Sequence, residues 1–238
     1  MLFRQLFDHE TWTYTYLIAD EATKEAALID PVVDQVPLYT QLLRELGLTL
    51  KYGIDTHVHA DHVTALGALR ETFGANTIHG AGSQASCVDR FVSDGEVISI
   101  GRYQLQAIAT PGHTDDSFSF LLDADGKSMV FTGDTLLIRG TGRTDFQNGD
   151  AGTQYESLTE KLLTLPDDTV VYPGHDYRGM TKSCIGEEKR FNPRLQVNNK
   201  AEYIGLMGQL KLADPKFMDV AVPANLECGA TYTGEYHI

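Results

Sequence analysis

The sequence predicts an α/β fold. Short runs rich in β-branched and aromatic residues alternate with segments of helical spacing, turn residues separate many of them, and several strand-like runs end in histidine or aspartate. No Pro/Gly/Ser linker, low-complexity tract or solenoid-period repeat interrupts the 238 residues. A single domain over 1–238 is therefore expected, with a mainly helical C-terminal appendage from about residue 183.

The elements follow in order. Thr13–Ile18 alternates and is rich in Thr and Tyr, a strand signal, and Glu25–Ile29 is a second strand closed by Asp30-Pro31. Pro37–Leu46 places Leu38, Leu42, Leu43 and Leu46 at helical spacing, with proline suited to the first turn and Gly47 to the stop. Leu50–Asp55 reads as a strand running directly into Thr56-His57-Val58-His59-Ala60-Asp61-His62, with a helix around Val63–Thr72. Strand-like runs follow at Thr77–His79, Glu96–Ile100, Tyr103–Ala109, Ser117–Leu122 and Ser128–Thr132. Tyr155–Thr164 reads as a helix and Thr169–Tyr172 as a strand. The tail from Glu187 to Leu212 is mainly helical, with a break at Asn192-Pro193.

Composition narrows the function. Hydrophobic residues make up 42% of the chain, enough for a core, and no apolar run reaches the roughly 18 residues of a membrane span. The formal net charge of −14 argues against nucleic acid as a partner. The charge is uneven: residues 1–138 carry 8 basic and 19 acidic side chains, and residues 139–200 carry 9 of each. A small anionic substrate can be accommodated by that relatively basic segment. Met1-Leu2-Phe3-Arg4-Gln5 has no charged leader followed by an apolar stretch, so a cytoplasmic protein is expected. Cys87, Cys184 and Cys228 are far apart and form no CxxC pair, which fits reduced thiols better than a disulfide framework. No nucleophilic side chain is expected to carry the chemistry.

The segment from His57 to His62 holds three histidines and an aspartate in six residues. His57 and His59, two apart, share one side of an extended chain, and Asp61 and His62 can turn back toward the same point. Imidazole and carboxylate dominate, unlike the Cys-rich ligand sets common in structural zinc sites, and such donors suit Zn, Fe(II) or Mn. Three later segments match: Pro111-Gly112-His113, Thr132-Gly133-Asp134 and Pro173-Gly174-His175 each follow a strand with a turn and a potential ligand. Ligand types for two metals are present. One site could use His57, His59 and His113, and the other Asp61, His62 and His175, with Asp134 bridging.

That order of motifs resembles the metallo-β-lactamase superfamily over most of residues 1–180. The resemblance implies a four-layer αββα sandwich with metal at one edge of its paired sheets. Residue inventory alone points to a dinuclear zinc thioester hydrolase of glyoxalase II type, in which a metal lowers the pKa of its bound water to about 7.

A closer resemblance is to the persulfide dioxygenases of the ethylmalonic-encephalopathy protein type. It is carried by Leu2–Phe7, Thr56–Thr64, Leu137–Gln147, His175-Asp176-Tyr177, Asn192–Leu195 and Val222–Asn225, and so spans nearly the whole chain. The Arg139–Gln147 stretch is the most discriminating, because it has no part in the general superfamily motifs. This resemblance implies one Fe(II) per chain, held by His57, His113 and Asp134 as a 2-His-1-carboxylate facial triad with open positions for substrate sulfur and O₂. It implies oxidation of glutathione persulfide with O₂ and water to sulfite and glutathione, and a homodimer. His59, Asp61, His62 and His175 then become groups that orient the ligands. Arg143, Tyr177, Arg178, Lys182 and Arg194 are the candidates for contacting the glutathione moiety, since guanidinium binds carboxylate bidentately.

Overall fold

The computed structural model describes residues 1–213 and 217–229 of the 238; the last nine residues of the expected 1–238 domain, 230–238, lie outside the described residues. Two mixed sheets of six strands pack face to face. The first contains β1 (Leu2–Asp8), β2 (Thr13–Ala19), β3 (Glu25–Ile29), β4 (Thr49–Ile54), β5 (Asn76–Gly80) and β6 (Arg90–Val92), side by side in chain order. The second contains β7 (Val97–Ile100), β8 (Tyr103–Ala109), β9 (Phe118–Ala124), β10 (Lys127–Phe131), β11 (Val170–Tyr172) and β12 (Ser183–Cys184), also in chain order. Helices α1 (Val36–Leu46) and α2 (Leu66–Phe73) cover the first sheet; α3 (Ala151–Glu156), α4 (Ile185–Phe191) and α5 (Lys200–Met207) cover the second. The result is the four-layer αββα sandwich implied by the resemblance.

Strand periodicity builds the layers. In β2, Tyr14, Tyr16 and Ile18 point into the inter-sheet core with Phe118, Phe120 and Phe131, while Leu17 and Ala19 point outward onto Tyr39 and Leu43 of α1. Both faces are covered, so every residue of β2 is buried. Each fully buried Leu, Ile or Phe contributes about 1.5–3 kcal/mol. In α1, proline sits in the first turn and Gly47, at φ 61°, terminates the helix, with Leu48 N–H donating to Leu43 O at 2.9 Å. The expected apolar face shifts slightly: Leu38 is exposed and Tyr39 takes its place, its hydroxyl bonded to Thr15 and to Val32 N–H.

Several expected boundaries move. The helix expected at 63–72 begins at Leu66, because Thr64 is held extended by a bridge to Val32. The helix expected at 155–164 begins at Ala151, where the Asp150 carboxylate caps Thr153 N–H, and continues through irregular turns to Thr164. Strands β1, β6 and β12 and a sixth helix, α6 (Met218–Leu226), lie outside the elements expected from the sequence. The expectation of reduced thiols is corrected: Cys87 and Cys228 form a disulfide, and Cys184 is the free cysteine. A pairing across 141 residues cannot be read from spacing, because only the fold brings the two sulfurs together.

Candidate metal centre

The ligand motifs lie at the C-terminal ends of four strands. Parallel β10 and β11 pair Phe131 with Tyr172, so Asp134 and His175, each three residues further on, lie side by side. His113 follows β8, and His57–His62 follows β4 on the opposing sheet. Tyr14 N–H donates to Gly174 O across the sandwich at 2.8 Å, joining the two edges. The turn before His113 requires glycine. Gly112 has φ +136°, and a Cβ there would stand 2.3 Å from the Gln154 backbone.

The structure brings His57, His113 and Asp134 into one group, with ligand atoms within 4.8 Å of each other. Hydrogen bonding fixes which atoms are available. His113 Nδ1 lies 2.7 Å from the Arg143 carbonyl, which can only accept, so Nδ1 carries the proton and Nε2 presents a lone pair 3.6 Å from Asp134 Oδ2. The Thr56 hydroxyl donates to Asp30 Oδ2 at 3.0 Å, so its oxygen accepts from His57 Nδ1 at 2.9 Å, leaving His57 Nε2 unprotonated. Asp134 uses Oδ1 for His175 Nδ1 at 2.7 Å and keeps Oδ2 for the centre.

A second group, His59, Asp61 and His62, adjoins the first. His59 Nε2 is 3.2 Å from Asp30 Oδ1, and Asp61 Oδ2 lies 3.1 Å from His62 Nδ1 and 2.8 Å from His175 Nε2. Both ring nitrogens of His175 are therefore engaged with carboxylates. His59 Nδ1 and His62 Nε2 are buried with no hydrogen-bond partner among the described residues. Orphaned imidazole nitrogens beside a carboxylate and two further lone pairs fit a metal ion, and the N/O donor set suits iron, zinc or manganese.

Protonation follows the same logic. Burial, reinforced by His59 and His113, holds His57 well below the ordinary imidazole range, so it is neutral and able to ligate. Burial also opposes a charge on His175, but Asp134 and Asp61 overcome it and hold the ring well above the ordinary range. For Asp134 burial works against ionisation, yet His175, His113 and His57 together keep the carboxyl below its usual range.

The Arg139–Gln147 stretch braces this centre. Gly142 N–H donates to Asp134 O at 2.6 Å, Arg143 O accepts from His113, and Gln147 Nε2 donates to Val58 O at 2.7 Å. A Cβ on Gly142 would stand 2.2 Å from Asp134 O, so only glycine allows this approach. Arg139 pairs with Glu187 and with the fully buried Glu188, whose carboxylate also accepts from Ser183 and Asn192.

A cavity of about 520 Å³ opens over the centre, with Asp61, His113, Asp134 and His175 among its lining residues and Trp12 and Tyr177 in its wall. Arg143, Tyr177, Arg178 and Arg194 line it, whereas Lys182 is exposed and lies outside the lining residues. Arg143 is held by both oxygens of Asp145, at 2.6 and 2.9 Å, and by Ala213 O, and sits 4.2 Å from the Phe146 ring. It braces the wall. Arg194 donates to Thr141 O, and among the described residues Arg178 Nη2 reaches only Arg139 O, at 3.5 Å. Tyr177 stacks parallel to His175, with ring centroids 6.0 Å apart. Sequence reasoning missed Asp30, whose carboxylate orients both His57 and His59; Asp30-Pro31 signalled only a strand end.

A model of the metallo-beta-lactamase superfamily matches residues 13–175. The chain is 47% identical to the mitochondrial persulfide dioxygenase ETHE1 of Homo sapiens over 232 residues, covering 96% of this chain and 89% of that protein. It is 33% identical to a probable hydroxyacylglutathione hydrolase of Schizosaccharomyces pombe, covering 84% of this chain and 90% of that protein. Among solved structures, ETHE1 from Myxococcus xanthus superposes with a TM-score of 0.92 at 56% identity, covering 96% of this chain and all of that one.

Proposed function

The chain belongs to the metallo-β-lactamase superfamily and, within it, to the persulfide dioxygenases, and from that membership we propose that it oxidises glutathione persulfide with O₂ and water to sulfite and glutathione at a single Fe(II). It is an oxidoreductase, a sulfur dioxygenase. The observation that carries the proposal is the likeness to persulfide dioxygenases, at 46–47% identity, over 96% of the chain.

His57, His113 and Asp134 are the proposed ligands, and the iron would supply the redox chemistry that activates O₂. The protein's own part is positioning. Engagement of both His175 nitrogens by carboxylates supports its assignment as the group that orients Asp134. Trp12 and Tyr177 narrow the approach to the centre. Arg178 and Arg194 have no ion-pair partner among the described residues. Burial lowers the pKa of Arg194, Tyr203 works the other way, and the neighbouring Arg178 adds a smaller lowering. A carboxylate of the glutathione moiety fits there. Replacing Arg178 with alanine is expected to raise KM for glutathione persulfide about tenfold with kcat little changed, the loss of one exposed charge-assisted contact. An unchanged KM removes Arg178 from the contacts.

Two features favour a second reading, a dinuclear zinc thioester hydrolase: the partnerless His59 Nδ1 and His62 Nε2, and the weaker likeness to the yeast protein. Metal content of anaerobically purified protein, measured with O₂ uptake on glutathione persulfide, separates the two. About one Fe per chain with uptake is expected; two Zn per chain without uptake overturns the proposal. No helix among the described residues is long and apolar enough to cross a membrane. A homodimer belongs to the same proposal. So does a cytoplasmic location, on the condition that the Cys87–Cys228 bond is open where thiols are kept reduced.

A further inference from the structure

The loop from His57 to Thr64 carries most of the charged and imidazole groups of the centre, yet it has no regular secondary structure of its own. Its residues are largely buried, so its backbone needs partners from elsewhere. Three of those partners are a single side chain. Asn225, on α6 and fully buried, donates from Nδ2 to His59 O at 2.9 Å and to His62 O at 2.8 Å, and accepts at Oδ1 from Thr64 N–H at 2.8 Å. Two carbonyls can only accept and one N–H can only donate, so the amide has one permitted orientation, and no other residue of this size provides both functions.

The surroundings hold α6 in place for this contact. Val63 of the loop packs with Ala221 and Ala224 of the helix. Gly67 N–H donates to Cys228 O at 2.8 Å, Ser86 N–H to Leu226 O at 2.8 Å, and Cys228 is bonded to Cys87. A Cβ on Gly229 would stand 2.4 Å from Thr64 O, so the chain passes directly against the loop.

We infer that Asn225 is a positioning residue for the metal centre: by fixing the His59 and His62 carbonyls and the Thr64 amide, it sets the path of the loop that brings His57, His59 and His62 to the centre. It does not touch the reacting atoms. The inference needs a metal at this loop but not the dioxygenase reaction, so a result of two Zn without O₂ uptake would overturn the proposed function and leave Asn225 untouched.

The test compares Asn225→Asp, Asn225→Ala and Ala221→Gly in the full chain. Asn225→Asp keeps the shape and the acceptor but loses both donors. Ala221→Gly loosens the same helix while leaving the amide in place. Each apoprotein is titrated anaerobically with Fe(II) against a chelator of known affinity, and its thermal unfolding is recorded without metal. Asn225→Asp and Asn225→Ala are expected to bind Fe(II) about 10- to 100-fold more weakly than the parent, the range typical of groups that orient ligands. Ala221→Gly is expected to stay within about threefold of the parent although its apoprotein Tm also falls. Should Asn225→Ala not fold, the isosteric Asn225→Asp decides. Parent-like Fe(II) affinity in Asn225→Asp, or an equal loss in Ala221→Gly, would show that the amide serves stability alone.

Discussion

Replacing Asp134 with alanine is expected to strip the metal from the chain and abolish O₂ uptake. Asp134 is the one carboxylate in the group it forms with His57 and His113, and its Oδ2 is the atom left over once Oδ1 has bonded His175. Removing it leaves two imidazoles and no carboxylate, and metal affinity should fall by more than the roughly 10- to 100-fold that orienting groups are worth. A second effect compounds the first. The charge on His175 is held up by Asp134 and Asp61 together, and losing one of them leaves a buried imidazolium with a single partner. His175→Ala provides the contrast. With His175 as an orienting group, its loss should weaken metal binding about 10- to 100-fold without eliminating it. Metal analysis after gel filtration, with circular dichroism to confirm folding, reads both variants. Equal and complete metal loss in the two would make His175 a ligand, as the dinuclear arrangement requires.

Replacing Arg139 with methionine should destabilise the protein by about 3 kcal/mol, because it leaves a buried carboxylate without its cation. Glu188 is fully buried and accepts from Arg139, Ser183 and Asn192; the Arg139 side chain itself is 22% exposed, which places the estimate at the lower end of what breaking a buried pair costs. For a chain of this size about 3 kcal/mol is a fall in Tm of roughly 6–12 °C. The double variant Arg139→Met with Glu188→Gln should recover much of that loss, since the penalty lies in the stranded charge. No recovery would mean that the Arg139 packing over Phe191, with the guanidinium 5.6 Å from the ring, carries the stability instead. The pair also anchors the wall that holds Asp134 and His113, so metal retention near the Tm of the single variant should fall with the fold.

The site was legible to the extent that ligand chemistry is local. His57, His113 and Asp134 each stand just after a strand, and periodicity with turn residues places strand ends well. What escaped was whatever depends on distant segments. Asp30 looked like the end of a strand, because its role appears only when β3 and β4 lie parallel and Thr56 N–H reaches its carboxylate at 2.7 Å. Asn225 stood in a stretch of small residues around Pro223 that carries little helical periodicity, and its partners are 161–166 residues away. β1 is half-buried along most of its length and so lacks clean alternation, and β6 is three residues long. Among the basic candidates, composition could not separate Arg143, consumed by Asp145, from Arg178, which lines the cavity with little engagement. That difference is geometric.

The Cys87–Cys228 bond also shapes the chain when it is not folded. It joins two residues 141 apart in sequence, and His113, Asp134 and His175 all lie on the ring so closed while His57 lies on the tail outside it. In a chain-entropy picture a closure of that length removes about 5 kcal/mol of freedom from the denatured ensemble. An oxidised chain therefore begins its refolding search with three of the strand ends that build the centre confined to one cyclic segment. A reduced chain must gather the same residues from an open polymer, so the two should return to the metal-competent state at different rates.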